Sequence, residues 1–208
     1  VADYFWDFDG TLYDTYRGMV KAFVEACAAC KCESVDPLQV YRAMRRTSLH
    51  QTFNVFLKTA DAKMTKMIIA KYESLEHIER ADALPFDGAV EVCRWVIEQG
   101  GRNFLVTHRD RSACDLLERD QLADYFAGYV TSEDKFPRKP DPTSLNFLCG
   151  QYHVDREDAF MVGDRTLDIE AAHRAGMRGI LFDPDDTIRT AIVPDKRIKS
   201  LREIVKAD

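Results

Sequence analysis

A chain of 208 residues with 46% hydrophobic and 31% charged side chains and a formal net charge of −6 can bury a substantial core and fits one globular unit with an insertion. It has no apolar run of the roughly 18 to 20 residues a membrane span requires, no basic stripe interleaved with aromatics of the kind that binds nucleic acid, and no secretory signal pattern at its start. These features predict a cytoplasmic protein without nucleic-acid or membrane partners. The six cysteines, Cys27, Cys30, Cys32, Cys93, Cys114 and Cys149, are scattered through apolar-patterned segments and predict reduced thiols. The cluster "CAACKC" lacks a neighbouring fourth ligand for zinc.

Along the chain, residues 2–6 form a short β-prone segment, and residues 17–80 then show almost no strand-like alternation. Helical spacing recurs there in "MVKAFVEACAAC", in "PLQVYRAM" behind Asp36 as cap and Pro37 at the first helical position, in "SLHQTFNVFL" and in "KMTKMIIAKYESLEHI". From Leu84 the texture changes to helices alternating with apolar strands: a helix in "AVEVCRWVIEQ" stopped by Gly100-Gly101, a strand "NFLVT", a helix over 112–118, and a β-prone "YVT". A helix from Thr143, a strand "AFMVG", a helix "LDIEAAHRA" stopped by Gly176 and a strand "GILF" complete the alternation, and "IKSLREIVK" reads as a closing helix. Such alternation predicts an α/β fold, a parallel sheet covered on both faces.

The first strand has no core of its own and is expected to join the later sheet, which makes the helical block an insertion. The predicted domains are a core over 1–15 and 83–208 and a helical domain over 16–82. Residues 16–82 hold 11 basic and 8 acidic residues, leaving 18 and 27 elsewhere, so the acid is concentrated in the core, as suits a cation-dependent site.

Parallel sheets of this kind bind ligands beyond the carboxyl ends of their strands. The polar residues there are Asp7 and Asp9 after the first strand, Thr107 after "NFLV" and Asp164 after "AFMVG", with Lys139 in "RKPDP" one loop beyond "YVTSED". The two-residue spacing of Asp7 and Asp9 puts both carboxylates on one side as the chain leaves the sheet, and Gly10 permits the turn that follows. Two acids so close are tolerable around a divalent cation, or if one keeps a proton. Asp164, and Asp168 four residues on, add oxygen donors for a hard cation, which makes Mg²⁺ the expected ion. Lys139 and Thr107 supply the cationic and hydroxyl partners for an anion such as phosphate.

The ordered set "DFDGT", the Thr of "FLVTHR", "KPDP" and "GDRTLD" resembles the haloacid dehalogenase superfamily of phosphohydrolases, and the resemblance spans nearly the whole chain; its phosphoglycolate phosphatase-like subgroup is the nearest in character. The resemblance implies a Rossmann-like core with an inserted helical cap that opens and closes over the site. It implies Asp7 as nucleophile, forming an aspartyl-phosphate, and Asp9 as the acid and then the base. Mg²⁺ would be held by the Asp7 carboxylate, the Asp9 backbone carbonyl and the Asp164 carboxylate. Thr107 and Lys139 would grip the phosphoryl oxygens, and Asp168 would orient the ligand set from outside it. The implied reaction is Mg²⁺-dependent hydrolysis of a small phosphorylated metabolite.

The second acid, Asp9, argues for phosphoryl transfer over carbon–halogen cleavage, whose leaving group needs no proton. A phosphomutase and a phospho-aspartate signalling or binding module are the alternatives. Arg45-Arg46 beside Thr47-Ser48 is the stretch of the insert expected to meet an anionic substrate. The aromatic strand "DYFW", where aliphatic residues are expected, departs from the family pattern.

Overall fold

The computed structural model describes residues 1–205. In chain order the elements are β1 (Asp3–Trp6), α1 (Tyr16–Ala29), α2 (Pro37–Arg46), α3 (Leu49–Phe56), α4 (Ala62–Ala81), α5 (Ala89–Glu98), β2 (Asn103–Val106), α6 (Ser112–Arg119) and β3 (Phe126–Val130), then α7 (Thr143–Tyr152), β4 (Ala159–Gly163), α8 (Thr166–Arg174), β5 (Arg178–Phe182) and β6 (Lys196–Ile198). The chain divides into two compact units, Val1–Tyr13 with the stretch from Pro85 onward, and Asp14–Leu84. These divisions lie two residues outside the boundaries expected from composition.

In the first unit the strands run in the order β3-β2-β1-β4-β5-β6, and every pairing is parallel. This is an α/β fold with β1 at the centre of the sheet. All four residues of β1 are buried, Asp3 against Arg102 and the next three as consecutive rings, which explains why the strand does not read as an alternating one. Its aromatic residues are accommodated by their neighbours. Phe5 stacks on Phe104 at 4.7 Å on one face, where Val106, Leu145, Met161 and Ala172 complete a core. Tyr4 stacks between Trp6 at 5.8 Å and Phe160 at 5.1 Å. The indole N–H of Trp6 donates to Asn103 Oδ1 at 2.8 Å, and Asn103 donates in turn to Cys93 O at 2.9 Å. The buried asparagine therefore satisfies a donor that an aliphatic residue would not bring.

The C-terminal segment corrects the sequence reading. "IKSLREIVK" is not a helix over its described residues: it begins on the last residue of β6 and continues into a single 3₁₀ turn, Leu201–Glu203, with Lys206 outside the described residues. Edge pairing with β5, Ile180 to Lys196 through Phe182 to Ile198, takes the residues before the turn. Ser200 and Glu203 then close the turn reciprocally, the Ser200 hydroxyl accepting from Arg202 N and Glu203 Oε1 accepting from Ser200 N. Tertiary pairing outweighs a weak local helical period here.

The Asp14–Leu84 unit is four helices around an aromatic cluster. Phe23 meets Phe53 at 5.1 Å and Phe56 at 5.8 Å, and Phe53 meets Tyr72 edge-on at 5.2 Å; Val40, Met44 and Ile68 fill the same core. Each helix after the first has a side-chain cap: Asp36 accepts from Leu38 N, Ser48 and Gln51 form a capping box, and Asp61 accepts from Met64 N. The capping acceptors satisfy backbone donors that the first turn leaves over. Among the described residues no helix is long and apolar enough to cross a membrane.

Candidate active site

The parallel ladder delivers the site residues. Asp7 directly follows β1 and its N–H still donates to Val162 O at 2.9 Å, so its side chain leaves from a fixed strand end. Thr107 follows β2 in the same way, its N–H donating to Val130 O at 3.0 Å, and Asp164 follows β4. Asp168 sits in the first turn of α8, where its Oδ2 accepts from Arg165 N at 3.1 Å. Its approach to the sheet depends on Gly163: a Cβ there would stand 2.3 Å from Asp168 Cβ and Cγ, so any other residue would push the carboxylate away. Gly10, at φ +77°, takes the left-handed turn that carries the chain off the strand after Asp9.

Lys139 binds these groups together. Its ammonium donates to Asp7 Oδ1 at 2.6 Å and to Val106 O at 2.9 Å, and lies 2.7 Å from Asp168 Oδ1. Burial is nearly complete, with exposures of 9% for Asp7, 4% for Lys139, 1% for Asp168 and 0% for Asp164. Oxygens of Asp7, Asp164 and Asp168 lie within 4.8 Å of one another. Three buried carboxylates thus gather with one ammonium that contacts two of them. Burying that excess of negative charge costs several kcal/mol without a further cation, and hard oxygen donors at this spacing fit Mg²⁺. Burial drives the Asp7 carboxyl up to about 7, with Lys139 opposing. For Lys139 burial works against the charge, but Asp168 and Asp7 outweigh it and the net direction is upward. The lysine is therefore charged, and a cation beside Asp7 would bring that carboxyl back to its ionised form.

Asp9 is set apart from this group. Its side chain is 29% exposed and is gripped by Arg109, whose Nε donates to Oδ1 at 2.9 Å and Oδ2 at 3.1 Å while Nη2 stands 2.5 Å from Oδ1. The guanidinium also lies over the Phe8 ring at 5.7 Å. Arg109 N donates to Thr107 Oγ1 at 3.0 Å, which occupies an acceptor site of that hydroxyl and leaves its proton to be donated elsewhere. Between them, His108 Nε2 accepts from Lys139 N at 2.8 Å. Burial, then the charges of Lys139 and Arg138, hold its imidazole down at about 3, so the ring is neutral.

The structure therefore gathers Asp7, Lys139, Asp164 and Asp168 into one buried cluster, with Thr107 at the neighbouring strand end and the Asp9 carboxylate turned to Arg109. Asp168, expected from sequence to orient the ligand set from outside it, has a carboxylate oxygen within 4.8 Å of those of Asp7 and Asp164. Neither His108 nor Arg109 was among the site residues expected from sequence, and their position directly after Thr107 was the only available signal. Within the helical unit, Arg45 is buried at 2% exposure with its guanidinium 5.9 Å from the Tyr41 ring centre, whereas Arg46 is exposed. The Cys27, Cys30 and Cys32 cluster forms no metal-ligand group among the described residues.

Comparison with known proteins decides the family. A family model described as haloacid dehalogenase-like hydrolase matches residues 4–188. The chain belongs to this family. A solved hydrolase from Streptococcus pneumoniae is 32% identical with a TM-score of 0.73, covering 99% of this chain and 98% of that one. A pyrophosphatase, PpaX, from Halalkalibacterium halodurans is 24% identical over 205 residues, 91% of this chain and 92% of that protein. Phosphoglycolate phosphatase 1 from Pseudomonas aeruginosa is 32% identical over 94 residues, 45% of this chain and only 35% of that relative.

Proposed function

We propose that this haloacid dehalogenase-like hydrolase is a Mg²⁺-dependent phosphatase that hydrolyses a small phosphomonoester through an aspartyl-phosphate on Asp7. The observation that carries the reading is the buried Lys139 ammonium against Asp7 and Asp168, with Asp164 completing an acidic group. Asp7, Asp164 and the backbone carbonyl of Asp9 are the ligands proposed for the cation, with Asp168 orienting from beside them. When bound, Mg²⁺ supplies charge neutralisation between an anionic nucleophile and an anionic phosphoryl group.

In the first step an Asp7 oxygen forms a bond to phosphorus as the ester P–O bond breaks, and Asp9, entering the step in its protonated form and drawn off Arg109, gives that proton to the departing alkoxide; the proton taken from water in the second step restores it. In the second step water attacks phosphorus, Asp9 takes the water's proton, and inorganic phosphate leaves with Asp7 restored. Lys139 and the Thr107 hydroxyl hold the phosphoryl oxygens as charge develops on them. Arg109 aims the Asp9 carboxylate, and at least one of its bonds must yield when an Asp9 oxygen turns to the leaving group. The names of relatives, phosphoglycolate phosphatase and pyrophosphatase, make phosphoglycolate and pyrophosphate the first compounds to try.

The test is phosphate release by the purified protein from an aryl phosphate, phosphoglycolate and pyrophosphate, with Mg²⁺ and with chelator. Turnover that requires Mg²⁺ is the expected result; no turnover of any compound under either condition would remove the phosphatase reading.

A further inference from the structure

Lys139 lies in an irregular stretch between the 3₁₀ turn Ser132–Asp134 and α7, outside the sheet ladder that fixes Asp7, Thr107 and Asp164. Its ammonium nevertheless has three partners within 2.9 Å. Two negative groups attract a flexible four-carbon side chain wherever its backbone stands, so the backbone position decides the geometry that the ammonium presents to a phosphoryl oxygen. That backbone is tied to the end of β2 by one side chain, His108, whose Nε2 accepts the Lys139 N–H at 2.8 Å.

We propose that His108 is a positioning residue for phosphoryl transfer, anchoring the Lys139 backbone to the end of β2 and so setting where the Lys139 ammonium stands against Asp7. The inference rests on the phosphatase reading given above. His108 is a positioning residue rather than a catalytic one, because its accepting nitrogen is committed to the Lys139 backbone. The bond requires a lone pair on Nε2 and hence the proton on Nδ1, the tautomer that the donor at 2.8 Å selects. Burial and the adjacent lysine keep the ring neutral, so the acceptor is present throughout the pH range of an ordinary assay. The three consecutive residues after β2 thereby address three different groups: Thr107 the phosphoryl oxygens, His108 the Lys139 backbone and Arg109 the Asp9 carboxylate.

The experiment compares the full chain with His108→Phe, which keeps a ring and removes the acceptor, and His108→Gln, whose amide oxygen can reach the Nε2 position. An aryl phosphate is turned over at saturating Mg²⁺, and inhibition by inorganic phosphate and the thermal midpoint are measured alongside. His108→Phe is expected to lower kcat about tenfold or more and to weaken phosphate inhibition by a comparable factor, while His108→Gln stays within about threefold of the unmodified chain. The Mg²⁺ concentration for half activation should be unchanged in both. Equal kcat in His108→Phe and the unmodified chain, or equal loss in His108→Gln and His108→Phe, overturns the inference while leaving the phosphatase reading intact. An unmodified chain that turns nothing over removes the phosphatase reading and the inference with it. If His108→Phe does not fold, His108→Asn replaces it, since its shorter side chain falls short of the Lys139 N–H and must then show the kcat loss that His108→Gln does not.

Discussion

The α/β unit buries a cluster of carboxylates around an ammonium beside its rings, whereas the core of the helical unit is mainly rings. At the carboxyl ends of β1 and β4 and the start of α8, Asp7, Asp164 and Asp168 are withdrawn from water around Lys139, an arrangement that a purely structural core would replace with apolar side chains at little or no cost in stability. In the Asp14–Leu84 unit the interior is dominated by Phe23, Phe53 and Tyr72, with Phe56 partly buried against them, and Glu76 pairs with Arg80 one turn away on α4. The contrast teaches that several carboxylates withdrawn from water beside a single ammonium mark chemistry, whereas a cluster of rings marks packing. Substitutions in the two units should therefore fail in different ways.

The largest expected effect is on chemistry alone. Asp7→Asn should lower turnover by at least about 10³-fold, with the thermal midpoint unchanged or raised because one carboxylate of a crowded acidic group is neutralised; rate and melting measured on one preparation check both halves. In the helical unit Phe53→Ala should cost about 3 to 5 kcal/mol of stability, read by denaturant unfolding, and a stability loss of under about 1 kcal/mol would mean that the ring cluster does not organise that unit. Arg109→Met should lower kcat about ten- to a hundredfold by releasing the Asp9 carboxylate; an unchanged kcat would show that Asp9 needs no such hold.

The response to pH should follow the acidic group. Burial raises Asp7 to about 7, so below that pH a proton competes with the cation. Activation by Mg²⁺ should require up to about tenfold more metal for each pH unit below about 7 and level off above it, as measured by metal titrations at a series of pH values. The smallest effect belongs to packing again: Asp36→Ala removes the cap of α2 and should cost about 1 kcal/mol without touching the metal response.

Much of this was legible in the sequence because strand ends are local events. Asp7, Thr107 and Asp164 follow short apolar runs, and the rule that parallel sheets bind at those ends brings such residues to one edge. The four inserted helices were legible from their period and from caps such as Asp36 with Pro37. What could not be read are contacts that exist only after folding. Arg109 reaches Asp9 across 100 positions and His108 reaches Lys139 across 31; nothing in either local pattern names its partner. Gly163 looks like an ordinary strand residue until Asp168 is packed against it. The strand β6 is three residues long, too short for a period, and only its neighbour β5 makes it a strand. The aromatic β1 looked anomalous until Asn103 and Phe160 were beside it.

The most direct measurement is to mix the protein with Mg²⁺ and an aryl phosphate, quench in acid within the turnover time and determine the mass of the intact chain and its peptides. One added phosphoryl group on the peptide containing Asp7, absent with chelator and absent in Asp7→Asn, is the result expected of a nucleophile held by Lys139 at the end of β1. Phosphate release with the chain unmodified at every quench time, or a phosphoryl group on a different peptide, would contradict it.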